Sequence, residues 1–409
     1  MVSYPPPRPP SRLLLNHGVA PLPAAARPGP AVQAFHQRFP GYAPTPLHDM
    51  AALATAYGVG RVLVKDETSR LGLPSFKVLG ASWAIYRLLV GRLGREPAWT
   101  TLDDLATAVA RDLGPLRLVA ATDGNHGRAV AHVAKELRLS ATILVPEGTA
   151  DARIAGIAGE GAEVVVVPGT YDDAVSMSAG MADDRTLVIS DTSWPGYEEV
   201  PRWVIEGYST IFTEIEAQLS ALGNGGDEPA GDIEVTGAGI EVADPLRVDL
   251  AVIPLGVGAL GAAAGACLRA GREPDDGPLL VGVEPDSAAC VAAAVEAGHV
   301  VEVPGPHRSI MAGLNCGLAS VLALPTVIAT FDALVAVHDD WCRRAVRSLA
   351  DAGLDVGETG AASLAGLAAL LDDDRGIVRV PPDATVLLLV TEGVTDPAGF
   401  EDIVGRPPR

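Results

Sequence analysis

The stretch LRLVAATDGNHGRAVAHVAKELRLSATILVP, residues 116–146, contains two short apolar runs on either side of a helical pattern. Residues 116–121 and 141–146 have the length and composition of buried strands, and the segment that begins at Gly124 has the spacing of an amphipathic helix. Two strands joined by a helix in this way usually pair in parallel. The stretch therefore predicts an α/β fold built on a parallel sheet.

The same alternation extends on both sides of this stretch. The spacing predicts a strand at residues 62–64 and a helix over 78–89. After residue 146, helical and strand patterns alternate as far as a strand that ends at Asp191, and a long helical region follows at about 201–222. Further strands are predicted at 248–255, 279–284 and 384–393.

This alternation predicts two doubly wound lobes with mainly parallel sheets and a cleft between the carboxyl ends of their strands. We interpret the acidic, Gly-rich segment 223–245 as a surface insertion. We expect an N-terminal extended arm at residues 1–35, a large domain formed by 36–90 and 216–409, and a small domain at 91–215.

The composition fits this architecture and limits the partners. Of the 409 residues, 48% are hydrophobic and only 4% aromatic, so the core depends on aliphatic side chains. A net charge of −21 repels nucleic-acid phosphates and anionic membrane surfaces. We therefore expect a small-molecule substrate, and neither a nucleic acid nor a membrane as partner.

Cysteine spacing and the N-terminal segment predict a cytoplasmic protein. Cys267, Cys290, Cys316 and Cys342 form no CxxC pair and have apolar neighbours, as is typical of buried reduced thiols. The proline-rich start lacks the apolar run of a signal peptide and predicts a disordered or extended arm. The uncharged stretch 250–268 is nearly long enough to span a membrane, but its proline and four glycines favour a buried strand, turn and helix.

Lysine is scarce, because the chain contains only Lys65, Lys77 and Lys135. A lysine amine can lose its proton and bond to a carbonyl carbon, whereas an arginine side chain stays protonated. Lys135 belongs to an amphipathic helix and Lys65 to a charged strand end, where we expect solvation. Lys77 begins an apolar helix, where burial and the positive helix terminus favour a neutral amine. Lys77 is the candidate nucleophile, although half-buried lysines at helix starts are often only packing residues.

A glycine-rich turn follows the strand at 248–255 and opens a helix. It consists of Gly256, Val257, Gly258, Ala259, Leu260 and Gly261. Its free amides are suited to an anionic phosphate. Glu284 ends the next strand, where a dinucleotide-binding fold places a ribose carboxylate. An NAD-dependent oxidoreductase is therefore an alternative, as is a turn whose glycines only permit close packing.

Polar residues follow three further strands. Thr122, Asp123 and Asn125 form a turn that suits a carboxylate or phenolate ligand and acid–base chemistry, or that is only a capped turn. Asp191 precedes a segment with Trp194, Tyr197 and Trp203, which is either a cleft wall or ordinary packing. Thr391 follows an apolar strand, where its hydroxyl can meet a ring nitrogen or cap a turn.

Together these segments resemble the fold type II, or tryptophan-synthase-like, family of pyridoxal-phosphate (PLP) enzymes. The matching pieces are PSFKVLGA around Lys77, ATDGNHGRAVA around Asn125, PLGVGALG, VGVEP and the terminal VTEG, which occur in the family's order over residues 62–393. Within this family the chain is most similar to the diaminopropionate ammonia-lyases, through TDGNHG, SDTSWPGYEEVPRWVIEGY and MAGLNCG. The acidic insertion and the proline-rich start depart from the family pattern.

The resemblance implies PLP in the interdomain cleft and a homodimeric enzyme that converts 2,3-diaminopropionate into pyruvate and two ammonia by α,β-elimination. Lys77 would be the Schiff-base lysine and general base, Asn125 would contact the cofactor's 3-hydroxyl, the amides of 256–261 would hold the phosphate, and Thr391 would face the pyridine nitrogen. Asp123 would help to deprotonate one enantiomer, and Asp191 would orient or protonate the leaving amine. Thr122, Asp123, Asn125 and Asp191 would bind the substrate. We expect no metal ligands among the candidate site residues.

Three alternatives stay open at this point. A serine or threonine dehydratase of the same fold would use the same lysine and glycine turn, although such enzymes usually have serine or alanine where this chain has Asp123. An NAD-dependent oxidoreductase explains the glycine turn and Glu284, but gives no role to Lys77 or Asn125. A ligand sensor on the same scaffold would have no need of Lys77.

Overall fold

The computed structural model describes residues 9–122, 124–223, 246–373 and 375–409. These residues form two sheets covered by helices, so the predicted α/β fold with mainly parallel sheets is confirmed. Asp123 lies outside the described residues, and so does almost all of the expected insertion at 223–245.

The described strands form two sheets. The strands are β1 (Ser11–Leu15), β2 (Leu47–Asp49), β3 (Arg61–Asp66), β4 (Arg117–Ala121), β5 (Ser140–Pro146), β6 (Glu163–Val167), β7 (Thr186–Val188), β8 (Leu250–Pro254), β9 (Leu279–Pro285), β10 (Ala333–Val337) and β11 (Thr385–Val390). The larger sheet has the order β1-β10-β9-β8-β11-β3-β2, and the smaller sheet has the order β6-β5-β4-β7.

Parallel pairing dominates in both sheets. All neighbours in the smaller sheet are parallel, and in the larger sheet only the edge strands β1 and β2 pair antiparallel. The central strands β8 and β11 are buried along their whole length, as expected for aliphatic strands that are covered on both faces. The lobe boundaries at 90/91 and 215/216 stay a prediction.

Helices cover both faces of the sheets. The α-helices are α1 (Ala31–His36), α2 (Ala51–Tyr57), α3 (Lys77–Leu93), α4 (Leu102–Leu113), α5 (Asn125–Glu136), α6 (Asp151–Gly159), α7 (Tyr171–Ala179), α8 (Glu199–Gly207), α9 (Ser209–Gly223), α10 (Ala259–Arg269), α11 (Cys290–Ala297), α12 (Leu324–Thr330), α13 (Asp339–Asp351), α14 (Ala362–Asp373), α15 (Arg375–Val378) and α16 (Pro397–Val404). Capping boxes at Thr101 and Thr170 fix the starts of α4 and α7.

The start of the chain contributes to the larger sheet. β1 pairs with β10 over five residues, and the Trp341 indole donates a hydrogen bond to the carbonyl of Pro9. The strand therefore covers what would otherwise be a free edge of β10. The described helices include no candidate membrane span. All four cysteines are buried free thiols, which confirms the prediction for these residues.

The expectation that Lys65 is solvated is wrong. Its side chain is completely buried, and its Nζ lies 2.7 Å from Glu214 Oε2 on α9. Arg70 is also buried and pairs with both Glu67 and Glu214. Burial lowers the pKa of Lys65, and the charge of Glu214 opposes this shift. The sequence argument failed because the compensating carboxylate, that of Glu214, lies 149 positions further along the chain.

Candidate active site

The candidate site is a cleft of about 670 Å³, including its opening to solvent. Its lining comes from segments that follow strands of both sheets, where parallel strands of open α/β sheets place ligands. The lining residues are Phe76, Lys77, Asn125, Tyr171, Asp191, Tyr208, Pro254, Gly256, Val257, Gly258, Ala259, Leu260, Gly313, Leu314, Cys316, Thr359 and Thr391.

Lys77 is the first residue of α3, and it reaches the cleft from the loop that follows β3. Its Nζ donates a hydrogen bond of 2.8 Å to Asp191 Oδ2, which lies in the loop after β7 of the other sheet. The Lys77 side chain retains 21% exposure, whereas that of Asp191 retains 8%. The sequence argument for Lys77 did not include this carboxylate, which comes from the other sheet.

The charge of Asp191 is stabilised by its neighbours. Burial works to raise the pKa of this carboxyl group, but the Lys77 ammonium, the His126 ring and the Tyr171 hydroxyl outweigh burial and hold the pKa below its usual value. The Tyr171 hydroxyl donates to Oδ1 at 3.2 Å, so both carboxylate oxygens have a donor. Asp191 is therefore an ionised acceptor that fixes the position of the Lys77 amine.

The glycine turn lies where the sequence places it, between β8 and α10. Gly258 has a φ of 96°, in the left-handed region that favours glycine, and no side chain caps α10. A Cβ on Gly256 would lie 3.3 Å from the carbonyl oxygen of Gly313, so a side chain would crowd the cleft there. Residues 256–260 line the cleft, whereas Gly261 packs under Leu255 and is not among the lining residues.

The turn after β4 brings only part of its polar set to the cleft. Asn125, the first residue of α5, lines the cleft. The Thr122 hydroxyl accepts hydrogen bonds from the amides of Gly124 and Gly127 at 2.9 and 3.0 Å, so it stabilises the turn itself. The role of Thr122 in substrate binding stays a prediction, and that of Asp123 lies outside the described residues.

Thr391 also lines the cleft, directly after β11. Its hydroxyl donates to the carbonyl of Thr359 at 3.3 Å. Both threonines are nearly inaccessible to solvent. The polar groups predicted at residues 77, 125, 191, 256–260 and 391 therefore meet in one cleft, although they come from five separate segments.

Two tyrosines of the cleft escaped the sequence analysis. Tyr171 opens α7, and Tyr208 lies between α8 and α9 with its ring 4.7 Å from that of Phe76. Burial raises the pKa of Tyr208, and the nearby Lys77 charge opposes this. Tyr208 ends the quoted segment that begins at residue 190, which was the one available signal for it. Tyr171 gave no local signal.

The aromatic residues that the sequence did single out lie elsewhere. Trp194 and Tyr197 stack on each other at 4.2 Å, and neither lines the cleft. The Tyr197 hydroxyl donates to the carbonyl of Val188, and the Arg87 guanidinium lies 5.6 Å from the Trp203 ring. These side chains therefore pack against other parts of the fold and do not form a wall of the cleft.

The hydrogen bonds of Glu284 within the fold explain its position without a ligand. The carboxylate is buried and accepts hydrogen bonds from the amides of Val291 and Ala292, at 2.7 and 2.8 Å, in the first turn of α11. Burial raises its pKa to about 8. A carboxyl group held in this way caps a helix, which removes the main support for a ribose ligand and for the oxidoreductase alternative.

Comparisons with known proteins agree with this geometry. The sequence profile of the family described as "Pyridoxal-phosphate dependent enzyme" matches residues 38–392. The diaminopropionate ammonia-lyase of Salmonella typhimurium is 33% identical over 392 residues, covering 92% of this chain and 91% of that protein. That of Escherichia coli is 32% identical over 381 residues, covering 90% and 89%.

The chain is also similar to a solved structure. The Escherichia coli diaminopropionate ammonia lyase, in complex with an aminoacrylate–PLP azomethine reaction intermediate, superposes with a TM-score of 0.82 at 28% identity. The match covers 97% of each chain. The similarity therefore extends over both sheets and the cleft between them.

The residues of the cleft fit this cofactor chemically. PLP presents an aldehyde, a phosphate, a phenolic oxygen and a pyridine nitrogen. The cleft offers the primary amine of Lys77, the uncapped amides at the start of α10, the amide of Asn125 and the hydroxyl of Thr391. Each group of the cofactor thus has a suitable partner among the lining side chains and amides.

Proposed function

The chain belongs to the family of pyridoxal-phosphate-dependent enzymes, and from this membership we propose that it is a lyase that releases both amino groups of 2,3-diaminopropionate as ammonia. One water is consumed and one pyruvate is formed, so that three carbons, two nitrogens and three oxygens balance. The observation that carries the proposal is that Lys77 and the glycine turn line one cleft, in a chain similar over nine-tenths of its length to diaminopropionate ammonia-lyases.

Residues from both lobes would hold the cofactor. Lys77 would bind the aldehyde carbon, the amides of residues 256–260 the phosphate, Asn125 the 3-hydroxyl, and Thr391 the ring nitrogen. When bound, PLP supplies an electron sink for negative charge at the substrate Cα. A neutral hydroxyl at the ring nitrogen stabilises ring protonation less than a carboxylate, which suits elimination better than transamination.

Lys77 is also the proposed general base. Its amine would remove the Cα proton, after which the bond between Cβ and the leaving nitrogen breaks. Asp191, held as a carboxylate by Lys77 and Tyr171, would orient the Lys77 amine and stabilise positive charge on the departing ammonia. Because its pKa lies below the usual value, orientation is better supported than proton donation.

Asp123 would serve the enantiomer whose Cα proton faces away from Lys77. Asp123→Asn is therefore expected to reduce turnover of one enantiomer of diaminopropionate far more than that of the other, and the measurement is pyruvate release from D and L substrate. Equal losses for both enantiomers would exclude this stereospecific role.

The covalent link provides the first test. Borohydride reduction of the PLP-loaded protein, followed by peptide mapping, should place the reduced cofactor on Lys77, and Lys77→Ala should form no pyruvate. Lys135→Ala is the matched control, because Lys135 is a largely exposed residue of α5 whose Nζ lies 3.8 Å from Glu160. Label on Lys65 or Lys135 would overturn the assignment.

Product stoichiometry separates the two reactions that this site can perform. Two ammonia per pyruvate from diaminopropionate support the proposed lyase, whereas one ammonia per keto acid from serine or threonine, with no turnover of diaminopropionate, supports a dehydratase. The assay compares D- and L-diaminopropionate with serine and threonine at equal concentrations.

We also propose that the enzyme is a cytoplasmic homodimer. The four buried free thiols suit a reducing compartment, and the family resemblance supports the dimer. Light scattering after size-exclusion chromatography tests the assembly, and a mass near that of one 42.0 kDa chain would exclude it.

A further inference from the structure

Glu392 joins three parts of the cleft, although it does not line the cleft itself. It follows Thr391 directly after β11 and is completely buried. Its backbone forms an isolated bridge with Ser75, and the amide of Gly393 donates to the carbonyl of Pro74 at 2.9 Å. Glu392 is therefore fixed to the loop that ends at Lys77.

The space around Glu392 is shaped for close backbone approach. The amide of Gly357 donates to the Glu392 carbonyl at 3.3 Å. A Cβ on Gly360 would lie 2.3 Å from that same carbonyl oxygen, so no other residue fits without a backbone shift. These contacts hold Glu392 rigidly within the larger lobe.

The Glu392 side chain points to the other sheet's helices. Its Oε2 accepts a hydrogen bond from Asn125 Nδ2 at the start of α5. Its Oε1 lies 3.8 Å from Arg153 Nη2 on α6, and the Arg153 side chain is 7% exposed. The buried carboxylate thus has an amide donor at Oε2 and a cation near Oε1, both from the smaller lobe, although Oε1 accepts no hydrogen bond among the described residues.

The bond to Glu392 determines which end of the Asn125 amide faces which neighbour. A carboxylate only accepts hydrogen bonds, so the NH₂ group of Asn125, and not its carbonyl oxygen, must face Glu392. The NH₂ group has two hydrogens, and one of them stays available for a second acceptor. A phenolic or phenolate oxygen is such an acceptor.

We infer that Glu392 is a positioning residue, whose buried carboxylate fixes the Asn125 amide with a donor available to the cofactor's 3-oxygen and ties this donor to the Lys77 loop. The inference rests on the proposed function, because it assumes that PLP occupies the cleft. A glutamine at 392 offers both a donor and an acceptor, so either end of the Asn125 amide could then face the cleft.

The test measures cofactor affinity by titrating the cofactor-free protein with PLP. In Glu392→Gln the dissociation constant for PLP is expected to rise by about tenfold, the effect of one hydrogen bond to a charged group. The matched control is Glu160→Gln, because Glu160 is also a mostly buried carboxylate paired with an arginine, Arg128. Unlike Asn125, the ion-pair partners of Glu160, which are Arg128, His132 and Lys135, do not line the cleft. This control should bind PLP within twofold of the original protein.

A double-mutant cycle separates positioning from a merely structural role. If Glu392 acts through Asn125, then adding Glu392→Gln to Asn125→Ala leaves the PLP dissociation constant of Asn125→Ala unchanged. If the two effects multiply, Glu392 only stabilises the fold and the inference is wrong. The absorbance band of the bound cofactor, which responds to hydrogen bonding at the 3-oxygen, should shift in Glu392→Gln and not in Glu160→Gln.

The outcomes also distinguish this inference from the proposed function. If the original protein binds PLP on Lys77 and Glu392→Gln binds it equally well, the inference alone fails. If the original protein binds no PLP, both fail. Should Glu392→Gln not fold, Glu392→Asp keeps the charge but shortens the reach by one methylene, and it should weaken PLP binding in the same direction. Unchanged binding in a folded Glu392→Asp would overturn the inference.

Discussion

Lys77 and Asp191 are 114 positions apart in sequence, yet their charged atoms lie 2.8 Å apart across the cleft. The pair needs both sheets to be in place, because each partner comes from a loop after a strand of a different sheet. Tyr171 completes the arrangement by donating to the second oxygen of Asp191. In the structure the amine is thus held at one point by a carboxylate that is itself fixed by a second donor.

This geometry predicts a graded response at Asp191, the partner of Lys77, and at Tyr171, the second donor to Asp191. Asp191→Asn removes the charge and is expected to lower kcat by about a hundredfold, within the range for acid–base and charge effects at a catalytic group. Tyr171→Phe removes only one neutral hydrogen bond and should lower kcat by about tenfold. Steady-state pyruvate release measures both. If Asp191→Asn kept the original kcat, Asp191 would have no part in the reaction.

For single residues, the sequence identifies side chains whose chemistry is rare in the chain. It misses side chains whose role depends on contacts in the folded protein. Lys77 stood out because only two other lysines compete with it. Tyr171 left no pattern, and Glu392 lay in the VTEG segment without a role of its own, since a single polar residue at a helix start or a strand end has many uses. The burial of Lys65 depends on Glu214, whose proximity is a product of the whole fold.

Among the elements, α11 depends on a carboxyl group with an unusual protonation. Burial raises the pKa of Glu284 to about 8 from an ordinary value of 4.5. Between these two values the folded protein binds more protons at this site than the unfolded chain, so its contribution to stability falls as pH rises. Below that window the contribution is fully present.

Glu284→Gln should remove this part of the pH dependence. The variant loses one acceptor for the α11 amides and is expected to be less stable than the original protein at pH 5, with the difference shrinking towards pH 8. Thermal midpoints across that range measure it. Glu273→Gln, at an exposed position, is the control and should track the original protein at every pH. A constant difference between Glu284→Gln and the original protein would show that Glu284 does not titrate in this window.

The buried ionic cluster of Lys65, Glu67, Arg70 and Glu214 connects β3, the turn after it and α9. It contains two cations and two anions, so removal of one anion leaves an uncompensated buried charge. Glu214→Gln is expected to lower the free energy of unfolding by about 3 kcal/mol or more. Glu216→Gln on the same helix breaks a half-buried pair with Arg27, and should cost at most about 1 kcal/mol.

Denaturant titration of both variants tests this difference. The measurement compares the shift in midpoint with the shift in slope, because two lobes can unfold in separate steps. Equal midpoints for Glu214→Gln and Glu216→Gln would mean that the cluster is not desolvated.

The sequence predicted the strands that are buried and parallel. It missed strands that form only because they pair with a neighbouring strand. The strands predicted at 116–121 and 141–146 are β4 and β5, because continuous aliphatic runs need a covered sheet. The edge strand β2 has only three residues and forms through pairing with β3, which no local pattern reveals. The helical region predicted at 201–222 is two helices, α8 and α9, that meet at Tyr208. That break places the Tyr208 side chain in the cleft.

In the whole molecule, one rule explains why the segments of the site meet. Strands that run parallel end at the same edge, so the segments after β3, β8 and β11 meet, and the segments after β4 and β7 face them from the smaller sheet. The sequence predicted this meeting without predicting a single distance. The side-chain contacts across the cleft depend on how the two lobes face each other, which periodicity does not encode.

The net charge of −21 opposes the binding of an anionic cofactor, so affinity for its phosphate must come from local donors. The uncapped start of α10, next to Gly258, supplies backbone amides and the positive end of the helix dipole. Repulsion by the whole molecule weakens with salt, because the screening length falls to about 8 Å at physiological ionic strength. If the α10 amides hold the phosphate, this interaction would act at contact distance and be screened far less.

This balance predicts a difference between PLP and pyridoxal, which has the same aldehyde and ring but no phosphate. A ligand that binds only the folded state stabilises it by about 2.7 kcal/mol at a hundred times its dissociation constant. PLP should therefore raise the thermal midpoint of the cofactor-free protein, and pyridoxal at the same concentration should raise it much less, because the α10 amides would have no anion to bind. Equal shifts from the two ligands would show that the glycine turn does not hold the phosphate.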